Sequence, residues 1–271
     1  MTGPSVYAQF QCGLSPYWRQ TTSGAAYLQT HDSGLLLGNH RATTRLYTNA
    51  QIDDYRTRPR PDFPWRPPLR LSLRARFSHN SGQLTGTAGF GFWNDPLRMT
   101  GLRRLALPQA LWFFYAGPDC DMRLALDQPG WGWKAAVIDT RTRRFLSKAP
   151  LFALAAPLLR AQPLYRRLWP SMQDAAAIAE MPLHAPMGDW QIYTIDWQRD
   201  RVRFFLNGKL LMESDHAPAG PLGLVIWLDN QYLQFAPWGH FRWGLIAKEE
   251  DQWLEIDWLA VEKAAGSTPR A

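Results

Sequence analysis

Trp190-Gln191-Ile192-Tyr193-Thr194-Ile195-Asp196-Trp197, followed by Val202-Arg203-Phe204-Phe205-Leu206-Asn207-Gly208-Lys209, is the stretch on which the fold of this chain turns. Trp190 to Trp197 and Arg201 to Leu206 read as a strand pair joined at Gln198 to Asp200. Asn207-Gly208 then makes a tight turn into Lys209 to Met212, because Asn-Gly tolerates positive φ at both central positions.

Working outward, Leu222 to Leu228 reads as a buried strand and Trp253 to Val261 as the last one. Upstream, Leu69 to Phe77 alternates with period two. Leu69, Leu71, Leu73, Ala75 and Phe77 face one way, and Arg70, Ser72, Arg74 and Arg76 the other. That is a half-buried strand with a cationic outer face. Gly34 to Leu37 opens an early strand and Arg41 to Tyr47 continues as a second. Asn49 to Pro68 is loop-like, with five prolines that cannot donate to a ladder. Two apolar runs follow, the glycine-rich Ala88 to Trp93 and the aromatic Ala110 to Ala116. Phe145 to Ile178 breaks the pattern with Leu, Ala and Met at helical spacing, and proline about every seven residues, which reads as short helices in an insertion.

The chain has 271 residues, is 46% hydrophobic and 20% charged, and so can fill one large core. The expected organisation is all-β: one antiparallel two-sheet sandwich over 1–262, an insertion near 145–180 and a disordered tail at 263–271. The net charge of +7 is clustered from Arg41 to Arg76 and from Arg141 to Arg167. No nucleic-acid motif accompanies these clusters, so a solvated face is favoured and no nucleic-acid partner is expected. Cys12 and Cys120 are too few for a disulfide framework or a zinc cluster. The first ten residues lack a signal pattern, which points to the cytoplasm.

Gly188-Asp189-Trp190 through Trp197, the strand ending Phe204-Phe205-Leu206-Asn207-Gly208, and the closing Leu254-Glu255-Ile256-Asp257-Trp258-Leu259-Ala260-Val261 together resemble family-16 glycoside hydrolases of the concanavalin A-like superfamily. The resemblance covers about three quarters of the chain and implies a jelly-roll sandwich with a ligand cleft on its concave sheet. It further implies three acidic residues on one concave strand, since retaining hydrolysis needs two carboxylates about 5 Å apart. Here the corresponding strand is Ala110-Leu111-Trp112-Phe113-Phe114-Tyr115-Ala116, without a carboxylate on either face. The standard hydrolytic machinery is therefore expected to be absent, and whether the chain turns over a substrate stays open. The resemblance also implies a structural calcium, for which Asp257 matches the family position; no other cofactor is expected.

A cleft on that sheet is expected to draw on Trp93, Asn94, Phe113, Tyr115, Trp131, Trp133, Tyr193, Trp227, Asn230 and Tyr232. Rings in this number suit stacking on a sugar or enclosing an apolar polycycle, although each ring has core packing as its simpler role. Asp229 and Asp95 are the candidate acids or bases, with a turn cap as the simpler role for Asp229. His184, His216 and His240 are isolated and lack metal-ligand spacing.

Three functional classes follow. The first is binding, or non-hydrolytic conversion, of a hydrophobic or aromatic small molecule beneath the insertion. The second is a carbohydrate-active protein, either a degenerate glucanase acting as a lectin or a hydrolase with relocated carboxylates. The third is an interaction module with a filled cleft. The apolar segment Leu151 to Leu159 with its neighbouring arginines reads as a lid or a packed flap, with contact to an anionic membrane behind both. The oligomeric state leaves no mark in the sequence.

Overall fold

A computed structural model describes residues 6–96, 105–155, 157, 161–235 and 241–263. Two large antiparallel sheets stack face to face. Eight strands form one sheet: β1 (Val6–Gln9), β3 (Ala26–His31), β4 (Gly34–Asn39), β6 (Leu69–Phe77), β12 (Gln191–Trp197), β13 (Val202–Leu206), β14 (Lys209–Ser214) and β18 (Gln252–Glu262). Their order is β14-β13-β12-β6-β18-β4-β3, with β1 also paired to β18. The expected pairing of β12 with β13 holds, and β12 also lies against β6.

The seven-stranded sheet carries the cleft. It contains β2 (Arg19–Ser23), β5 (Asn49–Asp53), β7 (Thr87–Trp93), β8 (Gln109–Ala116), β10 (Gly132–Asp139), β11 (Ala179–Pro182) and β15 (Gly223–Asp229), in the order β11-β10-β8-β7-β15-β5-β2. A small third sheet, β17-β16-β9, is made by β9 (Asp121–Met122), β16 (Gln231–Phe235) and β17 (Phe241–Leu245).

The inner faces of the two large sheets meet in the core, where period-two alternation decides which side chains enter. β6 contributes the five residues expected of it, all buried, with Arg70, Ser72, Arg74 and Arg76 outside. β18 enters with Leu254 and Ile256, then with Leu259 and Val261. The change of parity comes from a register shift between Ile256 and Trp258, where one extra residue flips the strand.

Two sequence expectations need correcting. Arg41 to Tyr47 is largely irregular, and the strand is Asn49–Asp53, which had read as loop. Its Ala50 and Ile52 enter the core, while the polar Asn49, Gln51 and Asp53 between them hide the apolar signal. The insertion forms two longer helices, α1 (Arg143–Ala155) and α2 (Gln162–Ala175), which run through Pro150 and Pro170 instead of stopping at them. Residues 264–271 of the expected tail lie outside the described residues, as does His240. Among the described residues no helix is long and apolar enough to cross a membrane.

Candidate functional site

The outer face of the seven-stranded sheet is a grid whose rows can be read from the ladder register. In one row Asn49, Asp229 and Thr87 lie side by side across β5, β15 and β7. The next row is Gln51, Trp227, Gly89 and Phe114, and the third is Asp53, Val225, Gly91 and Trp112. One end of this face is therefore polar, β5 carries Gln51 and Asp53 along one edge, and the rest is rings and aliphatic carbon.

The two glycines open the floor. A Cβ on Gly89 would meet Cη2 of Trp227 at 2.8 Å, and one on Gly91 would meet Cβ of Trp112 at 2.6 Å. With no side chains there, the neighbouring indoles lie across β7 and reach each other. Ring centroids are 5.5 Å apart for Trp112 and Trp227, 5.3 Å for Trp112 and Phe114, and 5.9 Å for Trp93 and Trp112. Above this floor stand Phe241 and Trp243 of β17, exposed by 68% and 57%, with Leu233 of β16 and Met122 of β9. The half-open cleft has a volume of ≈ 670 Å³, within the range of small-molecule sites.

The polar end is organised around Asp229, which is 3% exposed. Its Oδ1 accepts from the Thr87 amide (3.2 Å), the Thr87 hydroxyl (2.9 Å) and the Gln231 amide (3.0 Å). Its Oδ2 accepts from Gln231 Nε2 at 2.8 Å. The Tyr47 hydroxyl titrates above its ordinary range because it is buried and because the Asp229 charge is near. Trp227 Nε1 donates to Thr87 Oγ1 (3.0 Å), and Trp243 Nε1 to Gln231 Oε1 (2.6 Å), so the rings are tied to the same network. Burial pushes the Asp229 carboxyl up, against the donors and the nearby Lys248 ammonium, which pull it down. Lys248 is itself pushed down to about 8 by burial, and its Nζ donates to the Asp229 backbone oxygen at 3.0 Å. Asp229 thus caps the turn into β16 and also lines the cleft.

Of the residues named from sequence, Trp93, Trp227 and Asp229 line the cleft. Phe113, Tyr115, Trp133 and Tyr193 do not, and this is a correction. They are at most 1% exposed between the sheets, because their parity on β8, β10 and β12 turns them inward. The opposite face of β8 supplies Trp112 and Phe114 instead. Asn94 clamps the start of β8, receiving the Gln109 amide (3.0 Å) and donating to the Leu107 carbonyl (2.8 Å). Asn230 is fully buried and bonds to the backbone at Thr43, Leu46, Thr48 and Ile246. The Tyr232 ring lies across Gly244, and Trp131 is 42% exposed beside Gly82. None of these four lines the cleft.

Asp95 is buried beyond the far end of β7, with its backbone oxygen held by Arg60 at 2.6 Å. Thr87, beside Asp229, and Trp93, near Asp95, are six residues apart on one strand, or roughly 20 Å. The two acids therefore cannot act across one glycosidic bond, which calls for about 5 to 9.5 Å. Asp229 is the only carboxylate among the described lining residues. Asp53, opposite Val225, is four residues further along the sheet, roughly 13 Å away. Asp257, the residue matched to a structural calcium, is ion-paired in this structure. Its carboxylate is held by the Arg74 guanidinium at 2.6 Å, and no cluster of three metal-binding side chains occurs among the described residues.

None of the insertion's described residues lines the cleft, and residues 156 and 158–160 of the segment read as a lid or flap lie outside the described residues. The insertion leans on the cleft's outer wall, with Trp169 Nε1 donating to the Leu124 carbonyl (2.7 Å) and the Trp169 ring 6.2 Å from Phe235. Leu146, Leu151 and Leu154 of α1 remain exposed.

Sequence could have found Trp112 and Phe114. On β7 the bulky set is Phe90 and Phe92, so the Gly89–Gly91 face is the one that neighbouring rings must cover. The contributions of Tyr47, Phe241 and Trp243 depend on how the loops and the small sheet fold back, and carry no such local signal.

No protein-family model and no curated protein matches the sequence. Solved structures do match in shape. A Crh5 transglycosylase superposes with a TM-score of 0.52 at 11% identity, over 98% of this chain and 90% of that one. A laminarinase from Flavobacterium sp. UMI-01 gives 0.51 at 11%, over 95% and 99%. A β-1,3-1,4-glucanase (lichenase) from a mouse hindgut metagenome gives 0.50 at 14%, over 96% and 99%. At such identities the likeness establishes architecture: the chain has the concanavalin A-like jelly-roll fold shared by these glucanase-type structures.

Proposed function

We propose that the chain binds a flat, largely apolar or aromatic small molecule in the cleft of the seven-stranded sheet. The observation that carries this reading is the composition of the walls: Trp93, Trp112, Phe114, Trp227, Phe241 and Trp243 surround one space, with most polar groups at one end and Gln51 of β5 beside Trp227. Desolvating a ring body against such walls is favourable at roughly 25 cal/mol per Å² of apolar surface. A hydrolytic role is disfavoured, since one carboxylate whose oxygens already accept several hydrogen bonds cannot serve as an acid and nucleophile pair.

A glycan is the competing occupant. The similar structures are named as a transglycosylase, a laminarinase and a lichenase, and exposed rings such as Trp243 can stack on sugar faces. A sugar also needs donors and acceptors spread along its length, whereas here most cluster around Asp229 and bond to one another.

Native mass spectrometry of freshly purified protein, followed by denaturing release, tests the proposal. A co-purifying apolar molecule that is lost in Trp112→Ala supports it. An empty protein whose melting temperature rises with soluble β-glucans supports the glycan instead.

A further inference from the structure

The insertion and the turn leading into it hold almost all of the chain's excess charge. From Arg141 to Ile178 there are seven basic residues and one acid, Asp174, which gives this stretch +6 of the net +7 and leaves the rest of the chain near neutral. Contacts within the helix pair fix which sides are used. Tyr165 and Trp169 of α2 are buried, and Phe145 and Phe152 of α1 lie together with ring centroids 6.5 Å apart. Lys148 Nζ donates to Ser171 Oγ at 2.9 Å and Arg144 pairs with Asp174 at 3.5 Å, so α1 runs antiparallel beside α2.

What remains outside is apolar and cationic together. Leu146, Leu151 and Leu154 are 50%, 66% and 79% exposed, and Leu164 at the start of α2 is 40% exposed. Leu151 and Leu154 are three residues apart, and Leu146 is about two turns before Leu154, which puts them on one side of α1. Arg143 and Arg144 of the same helix, and Arg166 and Arg167 of its neighbour, are exposed as well. Leucines gathered in water on one helix face mark a surface that something covers.

We infer that the α1–α2 pair is a peripheral membrane-binding surface that lies on an anionic lipid bilayer. The α1 leucines enter the boundary between headgroups and acyl chains, and the arginines meet the acidic headgroups. Arginine and lysine carry their charge on long apolar stems, so both demands are met at that depth. Neither helix is long and apolar enough to cross a bilayer, so the contact is with its surface. A second copy of this chain would set one cationic face against another, and a nucleic acid would pair with the arginines but leave the leucines in water. None of these residues lines the cleft, so this surface stands apart from the small-molecule reading.

Co-sedimentation of the full chain with sucrose-loaded vesicles tests the inference. At about 0.1 M salt, vesicles of phosphatidylcholine with about 30 mol% phosphatidylserine are expected to bind at least about tenfold more strongly than phosphatidylcholine alone, and to lose most of that advantage at about 0.5 M. Leu151→Ser/Leu154→Ser and Arg166→Glu/Arg167→Glu should each weaken binding about tenfold or more, with folding checked by circular dichroism. Arg19→Glu/Arg58→Glu makes the same charge change on exposed residues by β2 and β5, across the seven-stranded sheet from β10 and β11, and should weaken it by less than about threefold. No binding to the acidic vesicles, or an equal loss in Arg19→Glu/Arg58→Glu, overturns the inference. So does binding that ignores the leucine substitutions, which together with matching affinity for a double-stranded DNA oligomer would make the helix pair a general polyanion surface.

Discussion

Trp227 lies across Gly89. The space where a residue-89 Cβ would stand is filled by the indole edge at 2.8 Å and by the Phe113 carbonyl oxygen at 2.3 Å. The floor of the cleft therefore depends on a missing side chain in one strand and a large one in the next. Gly89→Ala is expected to destabilise the protein by about 1–3 kcal/mol through overpacking and to weaken ligand binding by displacing Trp227. Thermal melting reads the first effect and ligand titration the second. An alanine variant that melts and binds like the parent would show that the ring does not need this strand to be bare.

Neighbouring residues on β8 should behave oppositely. Phe113 is fully buried between Phe90, Trp133, Tyr193 and Phe204, so Phe113→Ala should cost about 3–5 kcal/mol. Trp112 faces the cleft, so Trp112→Ala should cost less stability and reduce affinity for an apolar ring ligand about tenfold or more. Urea unfolding and calorimetry on the two variants check this, and an affinity loss confined to Phe113→Ala would reverse the assigned faces.

Asp54 links acidity to stability away from the cleft. Burial pushes its pKa up to about 7, while hydrogen bonds from Trp65 Nε1 (2.5 Å), the Leu224 amide (2.9 Å) and Tyr17 (3.1 Å) pull it down. The folded state thus holds this proton over a range in which the unfolded state, near 4, has lost it. The contribution to stability is complete below about pH 4 and falls as pH rises towards 7, by at most about 1.4 kcal/mol per pH unit. Subtracting Asp54→Asn from wild type in urea unfolding at pH 4, 5, 6 and 7 isolates that slope; a flat difference would contradict it.

Lys248 runs the other way. Its folded pKa of about 8 lies below the usual lysine value of 10.5, so the unfolded chain takes up a proton first as pH falls from 10.5. Its contribution to stability is present above that range and declines between about pH 10.5 and 8. Lys248→Met should remove this dependence, as read by thermal melting across that window.

Much of the fold is legible because the core strands alternate openly. β6 shows its parity without ambiguity, and β13 and β14 are joined by the Asn207-Gly208 turn that the sequence announces. β5 was hidden because Asn49, Gln51 and Asp53 mask Ala50 and Ile52, and Asn49 and Gln51 line the cleft on the opposite face from the core. The same concealment removed Asn49 from the candidate residues. On β8 both alternating sets are aromatic, so hydrophobicity cannot tell core from cleft, and only the glycines of β7 distinguish them. The helices α1 and α2 run through Pro150 and Pro170, and α2 is docked by the Trp169 indole on the Leu124 carbonyl, a contact that local sequence does not announce.

The most direct test is calorimetry of the wild-type protein with 2-naphthalenemethanol and, in parallel, with a β-1,3-glucan hexasaccharide. Saturable binding of the naphthalene, lost in Trp112→Ala, with no heat from the glucan is the predicted result. Saturable binding of the glucan with none of the naphthalene would contradict the apolar cleft and make the site a glycan groove.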